Sequence, residues 1–292
     1  MPELAEVEIT RLKLLPAVKG RRILDFWSDW SRGLKAYSSE RIADSRRRVV
    51  TDMHGRVILN ITRRGKVLFF ELSARPRARG RADGARTMAV HLRMSGRLLV
   101  APSKSKLASD KWAHFRFLLS GGREIRFIDP RKFGIVWYGA ASELSKYPYL
   151  KSLGRDARGI SKKFFAETLR RKTGMIKAIL LRQDVIAGIG NIIADESLWL
   201  AKIHPKARAA DLGQAELTRL HRSLAKTIAA MLSAGGTSLR DWSHPDGKLG
   251  GYQEKRKIYG KAGSPCPSCK TNLERLLVGG RGTTVCPKCQ TI

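Results

Sequence analysis

Cys266-Pro267-Ser268-Cys269 and Cys286-Pro287-Lys288-Cys289 decide the fold of the last segment, and they contain all four cysteines of the chain. Sixteen residues separate the two pairs, which is the spacing of two Cys-x-x-Cys turns around one tetrahedral zinc ion. Two disulfides or a redox-active pair are the alternatives. Neither suits a chain with no secretory signal and no βαβ pattern around the motif. We therefore expect Cys266, Cys269, Cys286 and Cys289 to bind one structural Zn²⁺.

The residues between the cysteine pairs predict a β-hairpin. A site with four thiolates is closed, so its metal stabilises the fold and does no chemistry. Gly279-Gly280-Arg281-Gly282 lies in the middle of this segment, and glycines favour a tight turn. Such a turn would direct Arg281 outward.

The charge of the chain indicates a polyanionic partner. Its 292 residues include 57 Lys and Arg against 25 Asp and Glu, a formal net charge of +32. The excess runs along the whole chain, so nucleic acid is the first expectation. A membrane surface is the weaker alternative, because no long apolar run, lipidation signal or basic amphipathic anchor is present. A merely basic surface without such a partner does not explain this net charge.

Hydrophobic periodicity divides the rest of the chain in two. From Arg21 to Tyr138, short strand-like runs alternate with turns, which is typical of an antiparallel sandwich or barrel. The runs are Ile23–Phe26, Val57–Thr62, Lys66–Leu72, Met88–Met94, Arg97–Val100, Phe115–Leu119 and Glu124–Ile128. From Ser161 onward the period is helical. The expected helices are Ser161–Arg171, Met175–Arg182, Ile192–Ala201 and Gln214–Ser233.

Two stretches do not follow either pattern. Ser142–Asp156, with Pro148 and Gly154, is expected to be a linker. Ser73–Thr87 contains five arginines and nothing apolar to pack. We expect this second stretch to be a mobile loop between two strands.

The chain begins Met1-Pro2-Glu3, and its second residue is a candidate nucleophile. If the initiator methionine is removed, Pro2 has a free secondary amine, whose attack on a carbon leaves an iminium ion. An unperturbed terminal amine has a pKa of about 7.7–8.0, so a useful fraction is neutral near pH 7. An ordinary proline at a helix start is the alternative.

A helix is expected directly after Pro2. Apolar residues recur at helical spacing, and a proline and a glycine are expected to end the helix; these residues are Leu4, Val7, Leu12, Leu15, Pro16 and Gly20. The positive end of the helix dipole would disfavour the ammonium form of Pro2 and leave more free amine.

The helical half contains the glycine-rich segment Ala187-Gly188-Ile189-Gly190-Asn191. With Asn191 as the N-cap of the next helix, the backbone amides would point at a closely approaching group. For a protein this basic, a phosphate is the expected group. A tight helix–helix connection is the alternative, and the spacing fits neither a Walker loop nor a dinucleotide fold.

Together these motifs resemble the formamidopyrimidine-DNA glycosylase family of base-excision repair enzymes. The matching segments follow one another over nearly the whole chain. They are Pro2-Glu3, Arg64-Gly65-Lys66, His91-Leu92-Arg93-Met94-Ser95-Gly96, Asp129-Pro130-Arg131-Lys132-Phe133-Gly134, Gly188-Ile189-Gly190-Asn191 through Glu196, Gly235-Gly236-Thr237, and the zinc hairpin with Gly280-Arg281-Gly282. The resemblance implies an α+β multidomain fold with damaged double-stranded DNA bound across a cleft.

The family fold implies four segments along this chain. Residues 1–141 would form the catalytic antiparallel β-sandwich with its leading helix, and 142–156 the linker. Residues 157–257 would form a helical helix-two-turn-helix domain, and 258–292 a C-terminal zinc-finger β-hairpin.

The resemblance also implies a mechanism. Pro2 would attack C1′ of the damaged nucleotide, expelling the base, and Glu3 would move protons as acid and base. β- and then δ-elimination would cut the strand on both sides. Lys66 would contact phosphate at the lesion, with a solvated strand-edge lysine as the alternative. Asn191 and Arg281 would clamp phosphates beside the flipped nucleotide.

Flipping a nucleotide out of a duplex leaves a void. Met94, Arg131 and Phe133 match the family residues that fill it, as an apolar plug, a donor to the orphaned base and an aromatic wedge. Core positions are the alternative for Met94 and Phe133. We also assign His114 to the DNA-contacting group. Gly235–Tyr259 resembles the lid over the extruded base.

Several residues depart from or extend the family pattern. Glu6 matches a family carboxylate near the active site, although it could equally be a first-turn helix acid. Ala5 replaces a usual proline, and Arg93 stands where glycine is common. The lid carries Trp242 and His244-Pro245.

The expected activity is a glycosylase and lyase for oxidised purines, acting as a cytoplasmic, nucleoid-associated bacterial monomer. An endonuclease VIII-like enzyme for oxidised pyrimidines is the runner-up. A non-catalytic zinc-containing DNA-binding protein would have no use for Pro2-Glu3 at a free terminus. A tautomerase with an N-terminal proline would be smaller and less basic.

Overall fold

The computed structural model of the protein describes residues 1–36, 49–76 and 82–292. They form two compact units. The first unit comprises Met1–Pro2, Glu6–Lys151 and Thr237–Gly250. The second comprises Glu3–Ala5, Ser152–Gly236 and Gly251–Ile292.

The first unit contains the two β-sheets of the expected N-terminal sandwich. One sheet has the order β1-β9-β10-β8 and the other the order β2-β11-β7-β4-β3. The strands are β1 (Ile23–Ser28), β2 (Leu34–Ala36), β3 (Ile58–Arg64), β4 (Val67–Leu72), β5 (Arg75–Pro76), β6 (Ala82–Asp83), β7 (Arg86–His91), β8 (Arg97–Pro102), β9 (Ala113–Leu119), β10 (Arg123–Ile128) and β11 (Ile135–Gly139). All seven predicted strand-like runs are strands, although Met94 lies beyond the end of β7.

An edge strand and an inner strand differ in how much they bury. The edge strand β3 buries only Ile58 and Ile61, whereas Glu124–Ile128 of the inner strand β10 is buried throughout. One pairing was not expected from the sequence, because β2 pairs with β11 in parallel while the other ladders of these two sheets are antiparallel. The short strand β2, three residues long, offers too little periodicity to predict.

Helix α1 (Leu4–Val18) is longer than its sequence suggested. It continues through Pro16 and ends at Val18, so the expected stop at Pro16 is wrong. A proline in the last turn removes a single ladder bond, and the ladder resumes when Lys19 N donates to Leu15 O at 2.9 Å. Leu14 faces the core, whereas Leu12 is half exposed.

The expected linker contains regular structure. It includes part of α2 (Ala141–Leu144), all of α3 (Pro148–Ser152) and strand β12 (Arg155–Asp156). Residues 49–53 are also helical, and short 3₁₀ turns cover Ser31–Gly33, Ala108–Trp112 and Ala209–Asp211.

The arginine-rich stretch Ser73–Thr87 is paired where the structure describes it. Strands β5 and β6 form an antiparallel ladder in which Arg75 faces Asp83. Arg75 Nη1 donates to Thr51 O at 2.5 Å, and Arg86 Nε donates to Asp52 Oδ2 at 3.0 Å. The expected mobile loop is therefore anchored at both ends; its central residues 77–81 lie outside the described residues.

The second unit is helical, as its periodicity predicted. Its remaining elements are α4 (Lys162–Arg170), α5 (Ile176–Leu180), β13 (Ile186–Ala187), α6 (Asn191–Leu200), α7 (Gln214–Ser233), α8 (Tyr252–Lys255), β14 (Glu274–Val278) and β15 (Arg281–Val285). Helices α4, α6 and α7 share one apolar core, to which they contribute Phe165, Leu169, Ile193, Leu198, Leu220, Leu224 and Ile228. Strands β14 and β15 form the expected C-terminal hairpin. Within the described part of the chain, no helix is both long and apolar enough to cross a membrane.

Candidate active site and nucleic-acid interface

Glu3 is a buried carboxylate that caps the N-terminus of helix α6. Glu3 is only 2% exposed, and its two carboxylate oxygens accept hydrogen bonds from Ile192 N at 2.8 Å and Ile193 N at 3.1 Å. These are amides that the helix itself leaves unpaired, and the positive end of the helix dipole favours an anion here. The carboxylate is thereby held in one orientation.

The glycine-rich segment before α6 gives Glu3 and Leu4 room to approach. A Cβ on Gly190 would collide with the Glu3 side chain, and one on Gly188, at φ +108°, would lie 2.6 Å from Leu4 Cδ1. The N-cap is Gly190, which has no capping side chain, and Asn191 is the first helical residue. The expectation that Asn191 caps the helix is therefore wrong, and the Glu3 carboxylate binds two of the amides that were expected to face a phosphate.

Pro2 immediately precedes Glu3 and lies just before α1 begins at Leu4. Pro2 is buried, whereas Met1 is 55% exposed. The expected location at the positive end of a helix is confirmed. Removal of Met1 would leave the secondary amine at this position.

Lys66 is buried in the first unit, with a residue exposure of only 3%. It precedes β4, an inner strand between β3 and β7, so the solvated strand-edge alternative is wrong. His91 lies opposite Val67 on the paired strand. Burial, followed by the charges of Arg93 and Lys66, holds the pKa of His91 well below its usual range. A neutral imidazole therefore accompanies the lysine. His91 was not among the predicted site residues, because no local pattern in the sequence marks it as one.

The turn that carries Lys66 is tied to helix α1. Arg63 Nε donates to Glu8 Oε2 at 2.8 Å, and Arg63 Nη1 donates to the carbonyl oxygen of Gly65 at 2.9 Å. Arg11 also binds the Glu8 carboxylate. Burial alone would raise the pKa of Glu8, but the two guanidinium groups outweigh it and lower the pKa to about 2. A buried ion pair thus fixes the position of the Lys66 turn against α1.

Met94, Arg131 and Phe133 occupy exposed loop tips. Met94 is 43% and Phe133 46% exposed, so the alternative that they are core residues is wrong. The guanidinium carbon of Arg131 lies 4.7 Å from the centre of the Phe133 ring. Large apolar side chains at exposed tips next to a cation suit contact with a partner.

Each of these loops contains a residue in the left-handed backbone region. Arg93 has φ 55° and Lys132 has φ 52°, a conformation that costs about 1–2 kcal/mol for residues other than glycine. This explains why glycine is common at the position of Arg93. The Arg93 guanidinium carbon lies 5.2 Å from the Tyr149 ring centre, a cation–π contact that helps to offset the cost.

His114 lies on β9 and is oriented by an acidic partner. Its Nδ1 lies 2.8 Å from Asp29 Oδ1, and its ring stands at 75° to that of Trp30. The residue is 6% exposed. The contact with Asp29 fixes the orientation of the imidazole ring. It therefore also fixes the direction in which the second ring nitrogen can form a hydrogen bond.

Helix α6 holds the strand that begins with Arg281. Asn191 Nδ2 donates to Gly282 O at 2.9 Å. Lys177 and Asp195 form a buried ion pair with an N–O distance of 2.6 Å. Lys177 Nζ also donates a hydrogen bond to Gly282 O at 3.0 Å. Burial lowers the pKa of Lys177 and raises that of Asp195. The Asn191 amide nitrogen therefore binds the hairpin, while Arg281 is exposed at its tip.

The four cysteines form a metal site. Their sulfur atoms all lie within 4.8 Å of one another, and zinc–sulfur bonds of about 2.3 Å would place tetrahedral sulfurs roughly 3.8 Å apart. Cys269 and Cys286 sulfurs are 3.4 Å apart, so they are not bonded as a disulfide. Trp199 Nε1 donates to Cys266 Sγ at 3.4 Å. The site fits one structural Zn²⁺.

Part of the lid-like segment, Thr237–Gly250, is attached to the first unit. Three positions on one side of α1 bind it: Glu6 Oε1 accepts from Thr237 N at 2.8 Å, Thr10 Oγ1 accepts from Trp242 Nε1 at 3.3 Å, and Lys13 Nζ lies 3.3 Å from Asp246 Oδ2. Trp242 and His244 are both buried. Trp242 and His244, which depart from the family pattern, thus anchor the segment, and Glu6 binds it through Thr237 N.

Three family models match the chain in order. The formamidopyrimidine-DNA glycosylase N-terminal domain matches residues 1–136, its H2TH domain residues 153–243, and the zinc finger found in FPG and IleRS residues 263–292. Curated relatives match over the full length. The formamidopyrimidine-DNA glycosylase of Chloroflexus aurantiacus is 37% identical over 99% of this chain and 98% of its own. That of Geobacillus kaustophilus is 35% identical over 99% and 100%.

Solved structures agree with the sequence matches. The complex of Lactococcus lactis Fpg with DNA containing an abasic site is similar with a TM-score of 0.85 and 30% identity, over 99% of this chain and 100% of the other. MutM in complex with DNA containing carbocyclic 8-oxo-G is similar with a TM-score of 0.84 and 31% identity, over the whole of both chains.

Proposed function

The chain belongs to the formamidopyrimidine-DNA glycosylase family, and on this premise we propose that it excises oxidised purines from damaged double-stranded DNA and then cuts the strand. The observation that carries the proposal is the buried Glu3 carboxylate, fixed by two helix amides directly after Pro2. A non-catalytic DNA-binding protein has no use for an oriented acid at its terminal amine.

Pro2 supplies the nucleophile once Met1 is removed. Its nitrogen attacks C1′ of the damaged nucleotide, the bond from C1′ to the base breaks, and the base leaves with the electron pair. Glu3 donates a proton to the sugar ring oxygen as the bond from C1′ to that oxygen breaks, so the ring opens and an iminium ion forms between the Pro2 nitrogen and C1′. The iminium ion acidifies the adjacent sugar carbon, so loss of its proton expels the 3′ phosphate by β-elimination, and δ-elimination then expels the 5′ phosphate.

Cationic residues hold the phosphates of the substrate. Lys66 contacts phosphate at the lesion and Arg281, exposed on the zinc hairpin, clamps the backbone. Asn191 clamps phosphate together with Arg281 and also holds the hairpin by its bond to Gly282 O. His114, held by Asp29, joins the DNA-contacting group.

Met94, Arg131 and Phe133 fill the void left by the flipped nucleotide. Their exposure at loop tips supports this role, because a side chain that inserts between stacked bases must be accessible on the protein surface. The zinc site folds the hairpin that carries Arg281 and takes no part in bond breaking.

We propose that residues 1–141 form the sandwich and residues 142–156 the linker. Residues 157–257 form the helix-two-turn-helix domain, and residues 258–292 form the zinc finger. The protein acts as a monomer in the bacterial cytoplasm, associated with the nucleoid through DNA binding.

A nicking panel tests the lesion class. Duplexes with a single 8-oxoguanine, formamidopyrimidine, oxidised pyrimidine or undamaged base are incubated with protein that has lost Met1, and strand cleavage is read on denaturing gels. We expect cleavage of the two purine lesions in preference to the others. Preferential cleavage of oxidised pyrimidines would instead assign an endonuclease VIII-like activity, and binding without cleavage would reject catalysis.

A further inference from the structure

The buried carboxylate of Asp129 binds both exposed loops of the first unit. Asp129 is fully buried, and Ser95 is only 1% exposed. On its own loop, Asp129 accepts hydrogen bonds from Phe133 N at 2.8 Å, Gly134 N at 2.7 Å and Arg131 N at 3.3 Å. On the other loop, Ser95 Oγ donates to Asp129 Oδ1 at 2.5 Å.

These four bonds use both oxygens of one side chain. A carboxylate offers about four acceptor sites, whereas an amide offers two on a single oxygen and two donors on its nitrogen. Asparagine could therefore not satisfy the same donors. The arrangement requires a carboxylate, and hydrogen bonds to an ionised group are the stronger kind.

The surrounding packing leaves the two loops little freedom. Gly96, next to Ser95, and Gly134 both lie against the ring of Phe127, so that a Cβ on either would collide with it. Arg93 and Lys132, each in the left-handed region, set the direction in which Met94 and Phe133 leave their loops. The Ser95–Asp129 bond joins two segments that are 34 residues apart in sequence.

We propose that Asp129 and Ser95 are positioning residues that make the Met94 loop and the Arg131–Phe133 loop one rigid wedge for insertion into DNA. This inference rests on the proposed function. Neither residue touches the reacting atoms. The bond between them makes the apolar plug and the aromatic wedge enter the base stack together, so that flipping is completed by both loops at once.

The test removes only the bond between the loops. Ser95→Ala loses the hydroxyl and keeps the three backbone bonds of Asp129, while Ser95→Thr restores a hydroxyl. Tyr138→Phe is the matched control, because it removes another buried hydroxyl that donates to a carboxylate, that of Asp52 at 2.7 Å. Single-turnover rates are measured on a purine-lesion duplex and on a preformed abasic site, where no base is flipped out.

We expect Ser95→Ala to slow lesion excision about tenfold, the effect of losing one hydrogen bond to a charged group, and to leave abasic-site cleavage near the wild-type rate. Ser95→Thr should recover most of the excision rate, and Tyr138→Phe should change the two rates equally or not at all. Combined with Phe133→Ala, the loss from Ser95→Ala should be less than additive. Equal losses on both substrates, or full additivity, would overturn the proposal.

Amide hydrogen exchange provides a readout that is independent of activity. In Ser95→Ala, exchange should accelerate at Phe133 and Gly134, which lie on the other loop. Unchanged exchange there would show that the loops are not coupled, even if excision is intact. A wild-type protein that excises no lesion would instead contradict the proposed function, whatever the exchange shows.

Discussion

Glu3 combines the catalytic task that we propose for it with a structural task in one side chain. As the cap of α6, it satisfies two amides that would otherwise be buried without partners, and capping side chains contribute about 0.5–2 kcal/mol. As the proposed acid and base, it must stand in a fixed direction beside Pro2. The helix that it stabilises is also the element that orients it.

Glu8 makes the stability of the first unit depend on pH. Its pKa is lowered from 4.5 to about 2 in the folded state, so the stabilisation is complete above pH 4.5 and is lost as the pH falls from there towards 2. We expect Glu8→Gln to be less stable than wild type at pH 7, by about 1–3 kcal/mol, with a difference that shrinks towards pH 2. Urea unfolding at several pH values measures it.

Glu143→Gln provides the comparison for Glu8, because Glu143 caps the short helix α2 by accepting a hydrogen bond from Ala140 N and forms no ion pair with an arginine of the described residues. A constant Glu8→Gln difference from pH 7 to pH 2 would contradict the ion-pair explanation.

Single residues also show where sequence reasoning succeeded and where it could not. The cysteine ligands could be predicted because zinc binding fixes both residue type and spacing. The capping of α6 could not, because Glu3 reaches Ile192 from 189 positions away, and local pattern selected the nearby Asn191. Likewise, the Ser95–Asp129 bond depends on tertiary packing that no periodicity records.

At the scale of elements, long amphipathic segments were the most predictable. Helix α7 has the bounds Gln214–Ser233 that its period indicated, because twenty residues repeat the pattern many times. The parallel strand β2 escaped prediction because it is only three residues long. Pro16 was misleading because a proline near a helix end costs one bond and the remaining packing of α1 outweighs it.

The lid-like segment Thr237–Gly250 should be anchored mainly by Trp242. This side chain is 4% exposed and packs edge-on to His244, with ring centres 5.3 Å apart. We expect Trp242→Ala to destabilise the segment locally by about 3–5 kcal/mol, the usual cost of removing a large buried aromatic side chain. Amide hydrogen exchange should rise across the segment while strands β9 and β10 keep their protection.

Leu249→Ala is the matched control, since Leu249 lies in the same segment and is 68% exposed. It should leave exchange unchanged. If Trp242→Ala produced no local increase, or if both variants produced the same increase, the anchor would lie elsewhere.

At the scale of the whole molecule, a net charge of +32 predicts that DNA binding depends steeply on salt. Each cation that contacts a phosphate releases a counterion, so affinity falls linearly on a log–log plot. Arg281→Ala should reduce the magnitude of that slope by about one. Fluorescence anisotropy on undamaged duplex at several salt concentrations measures the slope.

Arg281→Lys keeps the charge and should keep the slope, and Asn191→Ala, which removes no charge, should change it less than Arg281→Ala. An affinity that does not vary with salt would reject binding to a polyanion.

The central claim is that the amine of Pro2 performs the chemistry, and trapping of the reaction intermediate tests it most directly. Borohydride added during reaction with a purine-lesion duplex reduces the iminium ion to a stable amine, which locks protein to DNA. We expect the cross-link to map by mass spectrometry to the N-terminal peptide beginning at Pro2, with Met1 absent. Glu3→Gln should bind DNA and lose base excision.

Protein with a retained Met1 or an N-terminal tag provides the decisive comparison, because the Pro2 nitrogen is then an amide without a basic lone pair. This blocked protein should bind the lesion duplex, form no cross-link and leave the strand uncut. A blocked protein that cleaves at the full rate, with its cross-link at an internal lysine such as Lys66, would contradict the account.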